Sequence, residues 1–317
     1  MASIPMSKRL TRDNLHGVWA AIATPWDESG RFDKAEFREN IRRLAAAGVH
    51  GIYTTDSDGE FYAIELDEFK QIVKVFADEA GRLGVPTMVG VTWVNTQGII
   101  DRIQYAASVG ILGTHVGRPF FMPMTPESDR AYWQDIQKAT PEHFGLVHHN
   151  TARVHNTQNG HGYAELIKFV PQLIGSKNTS SDVREFMHVV TYAPQIAHLT
   201  GEGTVTPFMM LGAKGVNSWF VNFNPEFMLD WYDDAMNRRW NAAIQKQQRM
   251  YAFMEAKKML AGSGNLHGIV SKATAAASPF LIESNVTRKP YLPVPKETVA
   301  QFRRVVEEKF QDLMWRG

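Results

Sequence analysis

A three-part unit recurs along this chain: the end of a helical pattern, then Gly-x-x-Gly, then a β-rich run. It appears as Ala46-Ala47-Gly48-Val49-His50-Gly51-Ile52-Tyr53, as Ser108-Val109-Gly110-Ile111-Leu112-Gly113-Thr114-His115-Val116 and as Leu211-Gly212-Ala213-Lys214-Gly215-Val216-Asn217-Ser218-Trp219. The first glycine suits a left-handed helix C-cap and the second the tight start of a strand. Apolar residues at helical spacing fill the stretches between strands, for example Phe37, Ile41, Leu44 and Ala45, then Phe69, Ile72, Val73, Phe76 and Ala80. Eight strand candidates fall near Val18–Thr24, Gly51–Thr54, Thr87–Val91, Gly113–Val116, Gly145–His149, Leu173–Ser176, Ile196–Thr200 and Gly215–Phe220.

Eight short strands separated by helices, with no linker rich in Pro, Gly or Ser, predict an α/β fold, a (β/α)8 TIM barrel, rather than two open sheets. The barrel is expected over 17–237, after an N-terminal extension of 1–16 and before a C-terminal helical region of 238–317. That region should carry helices over Trp240–Leu260, His267–Leu281 and Pro295–Met314.

Charge and composition narrow the function. With 34 Lys+Arg against 33 Asp+Glu in 317 residues, no basic surface for nucleic acid is implied. The absence of cysteine excludes disulfides, thiolate metal sites and thiol nucleophiles. Met1 to Asn14 is polar and basic, and nowhere do eighteen apolar residues run together, so a soluble cytoplasmic protein with no membrane partner is expected.

Functional residues of such barrels gather at the C-terminal ends of the strands. Lys177 falls there, closing the apolar run Leu173-Ile174-Gly175-Ser176. Desolvation disfavours a charged amine, so a lysine at the mouth of a buried strand can act as a neutral nucleophile on a carbonyl and form a Schiff base; a solvated charge or an ion pair is the commoner fate of such a lysine. After the second strand, Thr54-Thr55-Asp56-Ser57-Asp58-Gly59-Glu60 offers hydroxyls and backbone N–H groups to an anion, or else an Asx-turn that caps the next helix. After the fifth come His148-His149-Asn150-Thr151-Ala152-Arg153. Strand alternation lets only one of the two histidines face the mouth, where it could move protons near neutral pH. Arg153 could grip a substrate carboxylate bidentately, or serve in a structural ion pair. His155 and His161 follow, but no carboxylate lies close by in sequence and the spacing fits no ligand pattern, so no metal is expected.

These residues resemble the dihydrodipicolinate synthase / N-acetylneuraminate lyase family, class I aldolase barrels acting on 2-oxo acids. The likeness runs from about Gly17 to Val294 and rests on Ala23-Thr24-Pro25-Trp26, Gly59-Glu60, Gly175-Ser176-Lys177, Gly201-Glu202-Gly203 and Arg288-Lys289-Pro290-Tyr291-Leu292-Pro293. The resemblance implies that Lys177 is the Schiff-base lysine, that no cofactor is needed, that the partners are a small 2-oxo acid such as pyruvate and an aldehyde, and that the protein is a homo-oligomer, dimer or tetramer. It places Ser57 and Asp58 where the family has a hydroxyl pair for the substrate carboxylate and for proton transfer. Asp58 as an anion would repel that carboxylate, so the loop differs, Asp58 is protonated, or the substrate binds another way.

At the fifth strand a family tyrosine–asparagine pair is replaced by His149-Asn150; an alternative register sets His148 at the tyrosine and aligns Arg153 without a gap. In either register imidazole replaces phenol as proton relay. A second family tyrosine appears as Phe121. Gly201 and Trp219, with Phe120, Phe121, Phe220 and Trp93, are expected around the mouth, and aromatics there favour a flat or apolar substrate. The opening Leu10-Thr11-Arg12-Asp13-Asn14-Leu15-His16-Gly17-Val18-Trp19 is similar to the start of the aromatic hydratase-aldolases. The expected activity is therefore a Schiff-base lyase, aldolase or hydratase-aldolase; the alternatives are a hydro-lyase using the same imine and a barrel that binds a carbonyl ligand without turning it over.

Overall fold

A computed structural model describes residues 9–155, 157–262, 264 and 267–317. Residues 1–8 of the expected N-terminal extension lie outside the described residues. Eight parallel strands close into a barrel in sequence order: β1 (Gly17–Ala21), β2 (Gly51–Thr54), β3 (Thr87–Gly90), β4 (Gly113–Val116), β5 (Gly145–Asn150), β6 (Leu173–Asn178), β7 (Ala197–Thr200) and β8 (Gly215–Ser218). Helices α1 (Lys34–Ala46), α2 (Leu66–Leu83), α3 (Thr96–Ser108), α4 (Pro126–Ala139), α5 (Gly160–Leu166), α6 (Val183–Tyr192), α7 (Val205–Met210) and α8 (Pro225–Met236) alternate with them. Three helices follow, α9 (Trp240–Ala261), α10 (His267–Ala276) and α11 (Lys296–Lys309). No described helix is long and apolar enough to cross a membrane.

The glycine repeat works as its spacing predicts. Gly48, Gly110 and Gly212 stand at φ +83°, +90° and +108°, a backbone that a side chain would strain. The second glycine of each unit makes room inside the barrel: a Cβ on Gly51 would lie 2.4 Å from the Trp19 ring. The chain ahead of β1 plugs the bottom, since Leu10 and Leu15 join Trp19, Ala21, Tyr53, Met88, Val147, Ala197 and Leu199 in one buried cluster within the barrel. The intervening strand residues, among them Val18, Ala20, Ile52, Val89, Val116, Leu146 and Val216, face the helices in a second and larger core.

The C-terminal helices share that larger core. Phe253 of α9 packs against Phe220 at 5.1 Å and against Phe302 and Phe310 at 5.6 Å between ring centres. Lys272 of α10 forms an ion pair with Glu60, both fully buried, and donates to the Val286 carbonyl at 2.8 Å.

Candidate active site

The inward positions at the top of the barrel are polar, although the layers below are apolar. Tyr53, His115, His149, Lys177 and Asn217 come from β2, β4, β5, β6 and β8, and all are buried. His149 and Lys177 are register partners across β5 and β6, so their side chains stand side by side.

Asp56, which the sequence offers only as one residue of a polar turn, joins them. Its backbone reaches the barrel because the loop after β2 folds back over β3: Thr55 sits at φ +53°, and a Cβ on Gly90 would be 2.3 Å from the Thr55 carbonyl oxygen. A β-branched residue in the left-handed region costs on the order of 1–3 kcal/mol, a strain that the surrounding contacts hold in place. Thr55 Oγ1 donates to the Gly90 carbonyl at 3.0 Å and so pins the fold-back.

The buried Asp56 carboxylate gathers three basic groups. Lys177 Nζ donates to Oδ2 at 2.7 Å, His115 Nδ1 lies 3.2 Å from the same oxygen, and His149 Nδ1 lies 3.1 Å from Oδ1. Burial alone would raise this carboxyl, but His149, Lys177 and the His115 hydrogen bond outweigh it and hold Asp56 well below the usual carboxylate range. Burial also pushes His115 down to about 4 and lowers His149, in spite of Asp56 nearby, so both imidazoles are neutral near pH 7. With Nδ1 facing the carboxylate, His149 Nε2 is left as a buried acceptor without a hydrogen-bond partner. Tyr53 completes the group: Lys177 Nζ lies 3.4 Å from its hydroxyl and 4.9 Å from its ring centre.

Two cavities open above this layer. One of about 400 Å³ is lined by Lys177, Tyr53, Asn217, Trp219, Glu202 and residues of the loops after β6 and β7, Gly201 among them. The other, of about 210 Å³, is lined mainly by apolar surface of Phe61, Tyr62, Phe120, Val154 and Tyr291. Ser57, His149, Arg153 and His267 line both and form the wall between them.

Several expected site residues stand elsewhere. His148 points out of the barrel, where its Nδ1 meets the Tyr163 hydroxyl at 2.7 Å and its Nε2 the Arg118 guanidinium at 3.0 Å, as alternation along β5 requires once His149 faces in. Asn150 likewise turns away: its amide bonds the Gln158 backbone and lines an outer groove between α6 and the loop ahead of α5. Gly59 lies under the turn, its carbonyl accepting from Thr24 Oγ1, and lines neither cavity. Phe121 is 78% exposed, and it is Phe120 that lines the apolar cavity. Trp93 lies under the Arg102 guanidinium at 3.8 Å, and Phe220 is sealed in the outer core.

Asp58 resolves one open alternative. Burial favours its neutral form, but His267 and Lys177 overcome this and hold its carboxyl far below the ordinary range, so it is an anion. His267 Nε2 stands 3.2 Å from Asp58 Oδ1. Near the rim, Lys257 of α9 is buried over the Trp219 ring and is pushed by burial down to about 7.

Tyr53, His115 and Asn217 were not marked by alternation, which sets the facing of residues only within one strand and leaves the phase of the other strands open. Asp56 and His267 gave no periodic signal, because loops place them.

A closed (β/α)8 barrel with a buried lysine and neutral imidazoles at its C-terminal mouth has the layout of an amine-dependent lyase. The chain belongs to the dihydrodipicolinate synthetase family, whose model matches residues 14–309, and with that family it is a class I lyase. It is 29% identical over 247 residues to 4-hydroxy-tetrahydrodipicolinate synthase of Methanospirillum hungatei, covering 72% of this chain and 78% of that one. It is 27% identical over 181 residues to trans-O-hydroxybenzylidenepyruvate hydratase-aldolase of Pseudomonas aeruginosa, covering 55% and 54%. The crystal structure of YagE, a family member from E. coli K12 in complex with pyruvate, superposes with a TM-score of 0.85 at 20% identity over 93% of this chain and 98% of that one, a likeness of fold.

Proposed function

We propose that this lyase acts through a Schiff base on Lys177, with pyruvate or a close 2-oxo acid as one partner and an aldehyde as the other. The observation that carries the reading is the buried Lys177–Asp56–His149 arrangement, in which an amine meets a charge partner on one side and a neutral imidazole with a free acceptor nitrogen beside it.

In this reading the deprotonated Nζ attacks C2 of the 2-oxo acid, and the resulting carbinolamine loses water to give the imine. His149 Nε2 takes the proton that leaves the amine and returns it to the departing hydroxyl, while Asp56 keeps the imidazole oriented through Nδ1. The protonated imine then draws electrons from C3: in cleavage the C3–C4 bond breaks, C4 leaves as the aldehyde, and an enamine remains to be protonated at C3 and hydrolysed. Arg153 and the Ser57 hydroxyl, on the wall shared by the two cavities, receive the substrate carboxylate. The apolar cavity of aromatic side chains receives the aldehyde substituent, in keeping with the hydratase-aldolase among the relatives. Phe121 and Met122, 78% and 67% exposed on the loop after β4, are suited to a contact between copies in a dimer or tetramer.

The test is hydrogen exchange of pyruvate in D2O, which reports enamine formation without an aldehyde. The wild type is expected to exchange the methyl hydrogens and Lys177→Ala to lose the activity at least about 1000-fold. Exchange that survives in Lys177→Ala would sink the reading.

A further inference from the structure

The helical region after the barrel lines both cavities, and its His267 stands on the wall between them. α10 starts at His267, and its second residue is a glycine where a Cβ would lie 2.3 Å from the Ser57 carbonyl oxygen. The absence of that Cβ lets the first turn of α10 rest on the Ser57–Asp58 backbone, which sets the His267 imidazole on the wall between the two cavities. Its Nε2 stands 3.2 Å from Asp58 Oδ1, a buried oxygen that has no hydrogen-bond partner among the described residues, so the imidazole is the group set to satisfy it. A carboxylate facing Nε2 favours the proton on that nitrogen and leaves Nδ1 as the acceptor. Asp58 is thus an anion committed to an imidazole, at a position where an anion cannot itself receive a substrate carboxylate.

From this juxtaposition we propose that His267, oriented by Asp58, is a second acid–base group of the site and acts on the oxygen of the aldehyde-derived carbon. The inference rests on the Schiff-base reading above. A substrate joined to Lys177 in the larger cavity, with its substituent in the apolar one, must cross the wall that His149 and His267 form. Lys177 lines only the larger cavity, so C2 lies there, and the C3–C4 bond spans the wall. In cleavage, His267 Nδ1 takes the proton from the C4 hydroxyl, the C4–O bond becomes a carbonyl, and the C3–C4 electron pair passes into the enamine. In condensation, the imidazolium returns the proton to the new alkoxide. His149 serves the imine steps and His267 the carbon–carbon step.

The experiment compares two rates in the whole protein, exchange of pyruvate methyl hydrogens in D2O and condensation of pyruvate with a panel of benzaldehyde and aliphatic aldehydes read by product mass. In His267→Gln, condensation is expected to fall at least about 100-fold further than exchange. Asp58→Asn, which keeps the shape of the side chain, is expected to shift the two rates apart in the same direction. Condensation and exchange that fall together in both variants would overturn the proposal. So would a wild type that exchanges pyruvate but condenses it with no aldehyde of the panel. A wild type that fails even to exchange would instead overturn the Schiff-base reading, and this inference with it.

Discussion

One carboxylate organises the site. Asp56 is buried, holds its charge, and faces Lys177, His115 and His149 from a loop rather than from a strand. Its neutral isostere would keep the shape but lose the charge that fixes the tautomer of His149 and the place of Nζ. Asp56→Asn should therefore slow pyruvate exchange by roughly 10²–10⁴-fold; a rate within threefold of the wild type would show that the cluster is structural. Lys177 was legible because a basic residue closing an apolar strand breaks the pattern of burial. Asp56 was not, since Thr54-Thr55-Asp56-Ser57-Asp58 reads equally as an Asx-turn, and only the left-handed backbone at Thr55 turns its carboxylate inward. For the same reason the partner of Asp58 was missed: the two lie 209 positions apart in the chain, His267 being brought in by a helix start with no motif of its own.

Among the elements, the strands were the most legible, because the Gly-x-x-Gly unit marks both a helix end and the start of a strand. Alternation then decides what single motifs could not: with His149 inward on β5, His148 and Asn150 must face out, and the structure puts them against Tyr163, Arg118 and Gln158. Loop crossings are less legible, since they depend on contacts between elements. Gly90 at the end of β3 is the clearest, because its missing Cβ leaves room for the Thr55–Asp56 backbone. Gly90→Ala should lift that loop, lower stability by about 1–3 kcal/mol in urea unfolding and reduce pyruvate exchange along with it. A variant with unchanged exchange would mean that Asp56 reaches the barrel without the close approach.

At the scale of the whole molecule, the C-terminal helices are part of the barrel's core and of its site, which an appendage need not be. The buried Glu60–Lys272 pair ties them to the loop after β2; Glu60 also accepts from Trp26 Nε1 at 3.2 Å and from the Arg288 backbone at 3.1 Å. Lys272→Met strands that carboxylate and should cost about 3–5 kcal/mol in urea unfolding; a loss below about 1 kcal/mol would contradict a structural role. Stability also depends on pH through His198, buried between Ser176 and the Ala193 carbonyl and pushed by that burial down to about 4 from an ordinary 6.5. The folded chain keeps this imidazole neutral where the unfolded chain would protonate it, so its share of stability is present above pH 6.5 and is lost as pH falls toward 4. His198→Gln should flatten the fall between pH 7 and 5 by on the order of 1–2 kcal/mol, and an unaltered slope would assign it to other groups.

The central claim is covalent, and reduction with borohydride in the presence of pyruvate tests it most directly. The account predicts one reduced adduct per chain, seen in the intact mass and mapped by peptide sequencing to Lys177. Lys257 is the informative competitor, since it too is buried near the mouth and is pushed down to about 7. An adduct on Lys257, or none on either lysine, would contradict the assignment of Lys177 as the Schiff-base residue.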